Sequence, residues 1–331
     1  MGRVRVGIGL ALVATAVAAA TSACGPSASG AAPAPSDAGK GGSVAPSKSA
    51  SASPKPTTPS GPPMLLNTIT PANGTTVGVV MPVSVLFSKP VAISGRATIE
   101  KHLKITTSVP TTGAWHWFSS TRVDFRPEHY WKPGTKVSID AALTNVTDGN
   151  GRYGTHDYHH SFTIGDDNET KVSVTHHTMQ VTHNGTVVKN FPIDAGSPDF
   201  PSWDGTMAVI DKQAKVRMKS CSVHITCDKK NPNFYDLTLP WDVHLTNSGT
   251  YIHYSDGDPY PGHSYGSHGC VHLSKADAIW YFNYVKQGDP VTITGSPRGK
   301  ADGDNGYADY NLSWSQWLSN SGAGEVNTTV A

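Results

Sequence analysis

The chain has 331 residues, with 26 Lys plus Arg against 25 Asp plus Glu, 24 prolines and 33 glycines. At ~100–200 residues per domain, this length predicts two compact domains with appended segments. The near-neutral balance and the lack of a basic block argue against nucleic acid as the main partner.

In chain order, the first segment reads as an export signal. Arg3 and Arg5 supply a positive start, and residues 7–20 form an apolar run shorter than the ~20 residues a membrane span needs. Small residues, Thr21-Ser22-Ala23, then precede Cys24. They resemble a bacterial lipobox, which makes residues 1–23 a signal peptide and Cys24 a lipidated first residue. The expected place is the outer face of the cell membrane, with the folded part acting in the cell wall. Residues 24–63 are mostly Ala, Ser, Pro, Gly, Lys and Thr, too poor in apolar side chains to offset the entropy of ordering. They read as a disordered linker.

Residues 64–166 show short β runs, as at 79–87 and 137–141. Between them lie the turn sequences Asn73-Gly74, Lys132-Pro133-Gly134 and Asp148-Gly149-Asn150-Gly151. This spacing predicts an antiparallel β-sandwich with Trp115, Trp117, Phe125 and Trp131 in its core. No catalytic constellation appears there. Residues 167–296 are again mainly β, with a hairpin about His183-Asn184-Gly185 and one main helix starting at Ser274. Ser274-Lys275-Ala276-Asp277 resembles a capping box in form, and Ala278, Ile279, Phe282 and Val285 make the apolar face. Residues 297–331 are a C-terminal extension whose Trp314, Trp317 and Leu318 are too apolar to be left free. The two tryptophans are expected to pack on both domains. The fold class is thus mainly β.

The cysteines carry the first chemical signal. Cys221 and Cys227 share one polar loop, and export permits a disulfide between them. With Cys24 assigned to lipid, Cys270 remains. It sits in Gly266-Ser267-His268-Gly269-Cys270-Val271-His272, whose glycines and polar residues do not make a plain core strand. A turn that runs directly into the helix would offer the thiolate backbone N–H groups and a favourable dipole. A nucleophilic cysteine also needs a base within hydrogen-bond reach, and His253, His263, His268 and His272 are the candidates.

His253, a glycine-containing polar loop and then Ser267-His268-Gly269-Cys270 resemble the active-site signature of L,D-transpeptidases of the YkuD type. Gly113-Ala114-Trp115-His116-Trp117-Phe118 with Arg126-Pro127 resembles the Ig-like domain of the larger members, and Trp314 with Trp317 their C-terminal extension. The resemblance implies an Ig-like sandwich followed by a YkuD-type catalytic domain. It makes Cys270 the nucleophile and His253 the base, oriented by the Tyr254 carbonyl, with His268 in support. Amides of Cys270 and of Gly269 or His268 would form the oxyanion hole. Tyr235, Ser248 and Gly249 match substrate-contacting positions, and Met218 and Trp241 further cleft positions. Cys221 and Cys227 fall in the family's lid. His272 stands where many members have Asn or Arg, which changes the usual contact with substrate.

The implied reaction moves an acyl group from a tetrapeptide stem of peptidoglycan to Cys270 with release of D-Ala, then to a second stem, giving a 3→3 cross-link. No cofactor is implied, and carbapenems are the expected covalent inhibitors. An L,D-carboxypeptidase would use the same residues, and a non-enzymatic wall-binding lipoprotein would leave Ser267-His268-Gly269-Cys270 unexplained. A zinc site built from His253, His263, His268, Cys270 and His272 lacks the usual ligand spacings.

Overall fold

A computed structural model describes residues 59–330. The export segment, Cys24 and most of the linker lie outside the described residues. Two five-stranded sheets face each other in the first domain. One is antiparallel and runs in the order Leu66–Thr70, Val83–Phe87, Arg122–Pro127, Thr112–Trp117 and Glu325–Asn327. The other runs Thr329–Val330, Leu103–Thr107, Lys136–Ala141, Tyr158–Ile164 and Thr76–Val77. Trp115, Trp117, Phe125 and Trp131 are all at most 2% exposed between them. The predicted core is therefore the observed one.

The apolar run at 79–87 divides. Only Val83–Phe87 is a strand, because Pro82 has no N–H to give a ladder. Val79, Val80 and Met81 instead form a buried turn against the second domain. Gly78 N donates to the Gln287 carbonyl at 2.8 Å and Val80 N to that of Gly288 at 3.2 Å. The helix Ile93–His102 was not expected. It buries only Gly95, Ile99 and Glu100, too narrow a stripe to stand out in the sequence.

The second domain holds a five-stranded sheet and a four-stranded sheet. The hairpin Thr178–His183 and Thr186–Pro192 forms as expected, with Asn184 and Gly185 both at positive φ in its turn. The helix Lys275–Tyr284 is capped by Ser274, whose hydroxyl accepts from Asp277 N. Its buried face is Ala278, Tyr281 and Val285, so Tyr281 takes the central place given to Phe282. The Tyr281 hydroxyl reaches Thr170 Oγ1 at 3.0 Å, which is how this ring is buried without an unmet polar group.

The C-terminal extension joins the two domains and then returns to the first. Residues 299–312 bond the catalytic domain through Gly299 O, Tyr307 O and Asn311 Oδ1, and the sandwich through Asp304 O and Leu312 O. Trp317 is fully buried, but against the sandwich alone. Its Nε1 donates to Ala114 O at 2.9 Å, and its ring stacks on His116 at 4.6 Å. Trp314 is half-buried on the same side, 5.2 Å below the Arg126 guanidinium. The tryptophans anchor the extension, whereas the polar segment before them spans the junction. Strands Glu325–Asn327 and Thr329–Val330 then add one edge to each sandwich sheet.

Candidate active site

Four strands carry the site: Asp211–Lys219, Asp236–His244, Tyr251–Tyr254 and Val271–Leu273, in that order. The last two pair in parallel, with Ile252 opposite Val271 and His253 opposite His272. Side chains alternate along a strand, so Ile252 and Val271 point to the core, where both are 0% exposed. Tyr251, His253, Cys270 and His272 therefore share the opposite face. That face floors a cavity of about 1030 Å³. Cys270, His253, His268, His272, Tyr235, Ser248, Gly249 and Met218 all line it.

Trp241 does not line it. At φ 57° it kinks its strand, and its ring lies 6.2 Å from Tyr254 and 5.8 Å from Lys275 Nζ of the helix. The left-handed kink turns the side chain away from the cavity. The expected link from Cys270 to the helix is also corrected. Val271–Leu273 is a strand and intervenes, so the thiol is not at a helix N-terminus.

The nucleophile turn is fixed by Ser267, whose hydroxyl donates to Cys270 O at 2.6 Å and accepts from Gly269 N at 3.1 Å. Gly269 has φ 115°, a conformation L side chains rarely adopt. An oxyanion at this corner must compete with Ser267 for the Gly269 amide. The Cys270 sulfur points to the Gly249 carbonyl at 3.7 Å. Burial pushes the thiol up to about 12; the Tyr251 N–H opposes this and the nearby Asp242 carboxyl adds to it.

His253 is 1% exposed, and its Nδ1 donates to the Tyr254 carbonyl at 2.9 Å. A carbonyl only accepts, so Nδ1 carries the proton and Nε2 is free to take one. Burial, helped by neighbouring His272, holds the ring down at about 3 despite that carbonyl. Burial disfavours the charged form of both groups, which works against the thiolate expected from the turn. Proton transfer must accompany the approach of a substrate that excludes water and supplies compensating dipoles.

His268 lies 5.0 Å from the Tyr235 ring and 4.7 Å from Phe200. Its Nε2 is buried with no partner among the described residues. Ser248 is held by Trp203 Nε1 at 3.1 Å and Asn305 Nδ2 at 2.9 Å, so it braces the rim. Tyr235, raised to about 12 by burial and by Cys270, closes the lid side. Cys221 and Cys227 are bonded in that lid. The loop they close sets Val223 on Gly249: a Cβ at residue 249, where φ is 93°, would lie 2.6 Å from Val223 Cγ1. The lid thereby touches the residue whose carbonyl faces the sulfur.

Sequence reasoning missed Asp194, Asp242 and Asp258. Asp194 is 0% exposed and accepts from the N–H groups of Gly262, His263 and Ser264 at 3.1, 2.9 and 2.6 Å, and from Ser264 Oγ at 2.8 Å. Its backbone pairs with His272. Burial alone would raise this carboxyl, but those bonds bring it down to about 2. One residue thus pins the loop before Cys270, through its side chain, to the strand after it, through its backbone. His263 is held here by its backbone. Among the described residues, no three His, Cys, Asp or Glu converge as metal ligands.

An Ig-like sandwich followed by a β-rich domain with a Cys–His pair on one strand face defines a class of cysteine acyl-transfer proteins. A model of a bacterial Ig domain matches residues 41–147, and one of the L,D-transpeptidase catalytic domain matches residues 167–293. L,D-transpeptidase 2 of Mycobacterium tuberculosis is 34% identical over 258 residues, 75% of this chain and 60% of that protein. L,D-transpeptidase 1 of the same organism is 34% identical over 231 residues, 69% of this chain and 84% of that protein. A solved L,D-transpeptidase in complex with imipenem aligns at a TM-score of 0.60 and 32% identity, covering 70% of this chain and 100% of the other. The chain belongs to the L,D-transpeptidase family.

Proposed function

We propose that the chain is an L,D-transpeptidase that forms 3→3 cross-links between peptidoglycan stems. The observation that carries this reading is the pairing of Tyr251–Tyr254 with Val271–Leu273, which puts His253 and Cys270 on one face beneath the cavity. As a donor tetrapeptide seats, the Cys270 proton passes to His253 Nε2 and the sulfur bonds the carbonyl carbon preceding the terminal D-Ala. The C–N bond then breaks, and D-Ala leaves with the proton from His253. The thioester is next attacked by the side-chain amine of a second stem, and the thiol is restored. Tyr254 O keeps His253 in the required tautomer throughout. Tyr235, Met218, Ser248 and Gly249 shape the cavity around the stem.

Imipenem, seen with a family member, supplies the test. Incubation should add its mass to a peptide containing Cys270, and Cys270→Ala should take up none. An adduct on any other residue would reject Cys270 as nucleophile. In the cell, the chain is held to the outer face of the membrane through lipid on Cys24. Cys24→Ser should release it into the soluble exported fraction; a variant that stays lipidated and membrane-bound would reject the anchor.

A further inference from the structure

His253 suits the first half of such a reaction better than the second. The acceptor arrives as an ammonium, since an alkyl amine has a pKa of roughly 10.4. It must lose one proton before it can attack and a second as the amide forms. His253 can relay the second, from the attacking nitrogen to the departing sulfur. A lasting positive charge on it would be costly. It is 1% exposed, its hydrogen bond is to a backbone carbonyl, and His272 lies edge-on at 4.9 Å.

His272 is placed differently. It lines the cavity, its side chain is 12% exposed, and its Nδ1 lies 2.8 Å from Asp258 Oδ2. The carboxylate accepts a hydrogen bond from Nδ1–H, which leaves Nε2 as the ring's proton acceptor. A proton gained there makes an imidazolium directly balanced by Asp258. The pair is also built into the site. His272 N donates to Asp194 O at 2.8 Å and Asp194 N to His272 O at 3.3 Å. Asp194 in turn holds the far end of the loop that carries Asp258. Asp258 is fixed at its near end by its N–H bond to Ser255 O at 3.0 Å.

We propose that Asp258 and His272 form a second acid–base dyad, which deprotonates the acceptor ammonium so that it can attack the Cys270 thioester. The inference rests on the transpeptidase reading above. One ammonium proton goes to His272 Nε2 and on to water. The nitrogen lone pair bonds the thioester carbon, the C–S bond breaks, and the second nitrogen proton returns through His253 to the Cys270 sulfur. Groups beside the dyad are His253 and His268 from the floor, and Asp194, whose backbone pairs with His272; His263 lines the same cavity from the loop. His268 is lowered by burial and by His272, and it has no carboxylate beside it to balance a proton it gained.

The test measures the two half-reactions separately in His272→Asn and Asp258→Asn. Imipenem acylation of Cys270 reports the first. Decay of a tetrapeptide-derived thioester in the presence of an amine acceptor, followed by intact-protein mass, reports the second. Loss of general base work costs roughly 10²–10⁴ in rate. His272→Asn should therefore slow transfer at pH 7 by at least about 10²-fold, far more than acylation, so that thioester accumulates. The deficit should shrink as pH rises toward 10, where the acceptor amine is already free. Asp258→Asn should behave likewise with a smaller deficit. Equal losses in both half-reactions, or a transfer deficit that pH does not change, would overturn the dyad while leaving the transpeptidase reading intact. Failure of the unsubstituted chain to acylate would overturn that reading and the dyad with it.

Discussion

The sandwich and the catalytic domain are both layered β structures, yet they treat buried polar groups in different ways. In the sandwich, Glu100 is 4% exposed and accepts from Trp117 Nε1, Ser321 Oγ, Gly322 N and Ala323 N. Arg122 grips Asp124 with two nitrogens and reaches Asp304 O and Gly306 O with its remaining N–H groups. These groups are answered, and what they hold is the C-terminal extension. Not every group there is answered: among the described residues Arg96 Nε and Arg126 Nε lack a partner, and so does Asp309. It is buried at the same junction without a side-chain partner and is pushed well above the usual carboxylate range by burial.

Around Cys270 the polar groups keep free capacity. His253 and His272 each have one nitrogen engaged, His268 Nε2 has no partner, and Asp242, near the thiol, has neither oxygen matched by a side chain. Burial raises Asp242 to about 7, which favours its neutral form near the thiol. Polar groups with every bond made hold a fold together. Those with bonds in reserve can move protons.

The comparison breaks most sharply at His253. His253→Ala should cut imipenem acylation by roughly 10²–10⁴. Its melting temperature should fall much less than acylation does, because the ring lies on the cavity floor and makes a single backbone bond. A large drop in melting with little kinetic effect would reverse the assignment. The sandwich gives the opposite pattern. Trp317→Ala should cost about 3–5 kcal/mol of stability, as large aromatic truncations in cores do. Acylation below the new melting point should stay near that of the parent chain, as a melt and an imipenem progress curve would show.

Asp194 sharpens the boundary between the two roles, since it is fully answered yet serves the site. Asp194→Asn keeps the shape but loses the charge-assisted bonds to Gly262, His263 and Ser264. A misplacement of about 1 Å at the nucleophile loop can cost up to roughly 10² in rate. The sign of its pH dependence follows from its position near 2, below the ordinary 3.8. The unfolded chain binds the proton first, so the stability Asp194 contributes is full above about 3.8 and is lost as pH falls toward 2. Acid titration of both proteins should show the difference in that window alone.

The smallest effect is expected from the lid. Cys221→Ser with Cys227→Ser removes a short closed loop, worth roughly 2–2.5 kcal/mol by chain entropy. Freed from it, Val223 can lift from Gly249 and admit water to the thioester. The ratio of tripeptide to 3→3 dimer should rise; an unchanged ratio leaves the disulfide as a staple.

That Cys270 and His253 belong to one site was legible because both lie in short local patterns, and pairing of neighbouring strands brings such patterns together. Trp241 was misplaced because nothing in Leu239-Pro240-Trp241-Asp242 announces a left-handed kink. Asp194 was illegible for a different reason: its partners lie some seventy residues away, with no local spacing to connect them. The terminal strands escaped notice because Glu325–Asn327 and Thr329–Val330 are exposed and gain their place from the sheet edges they meet. Register, kinks and long-range carboxylates are tertiary facts, and the sequence records them only indirectly.

The central claim is tested most directly by incubating the chain with a defined disaccharide-tetrapeptide and resolving the products by mass spectrometry. The expected result is release of D-Ala with formation of a dimer joined between the third residues of two stems, absent with Cys270→Ala. Recovery of intact tetrapeptide, or of the same dimer with Cys270→Ala, would contradict it.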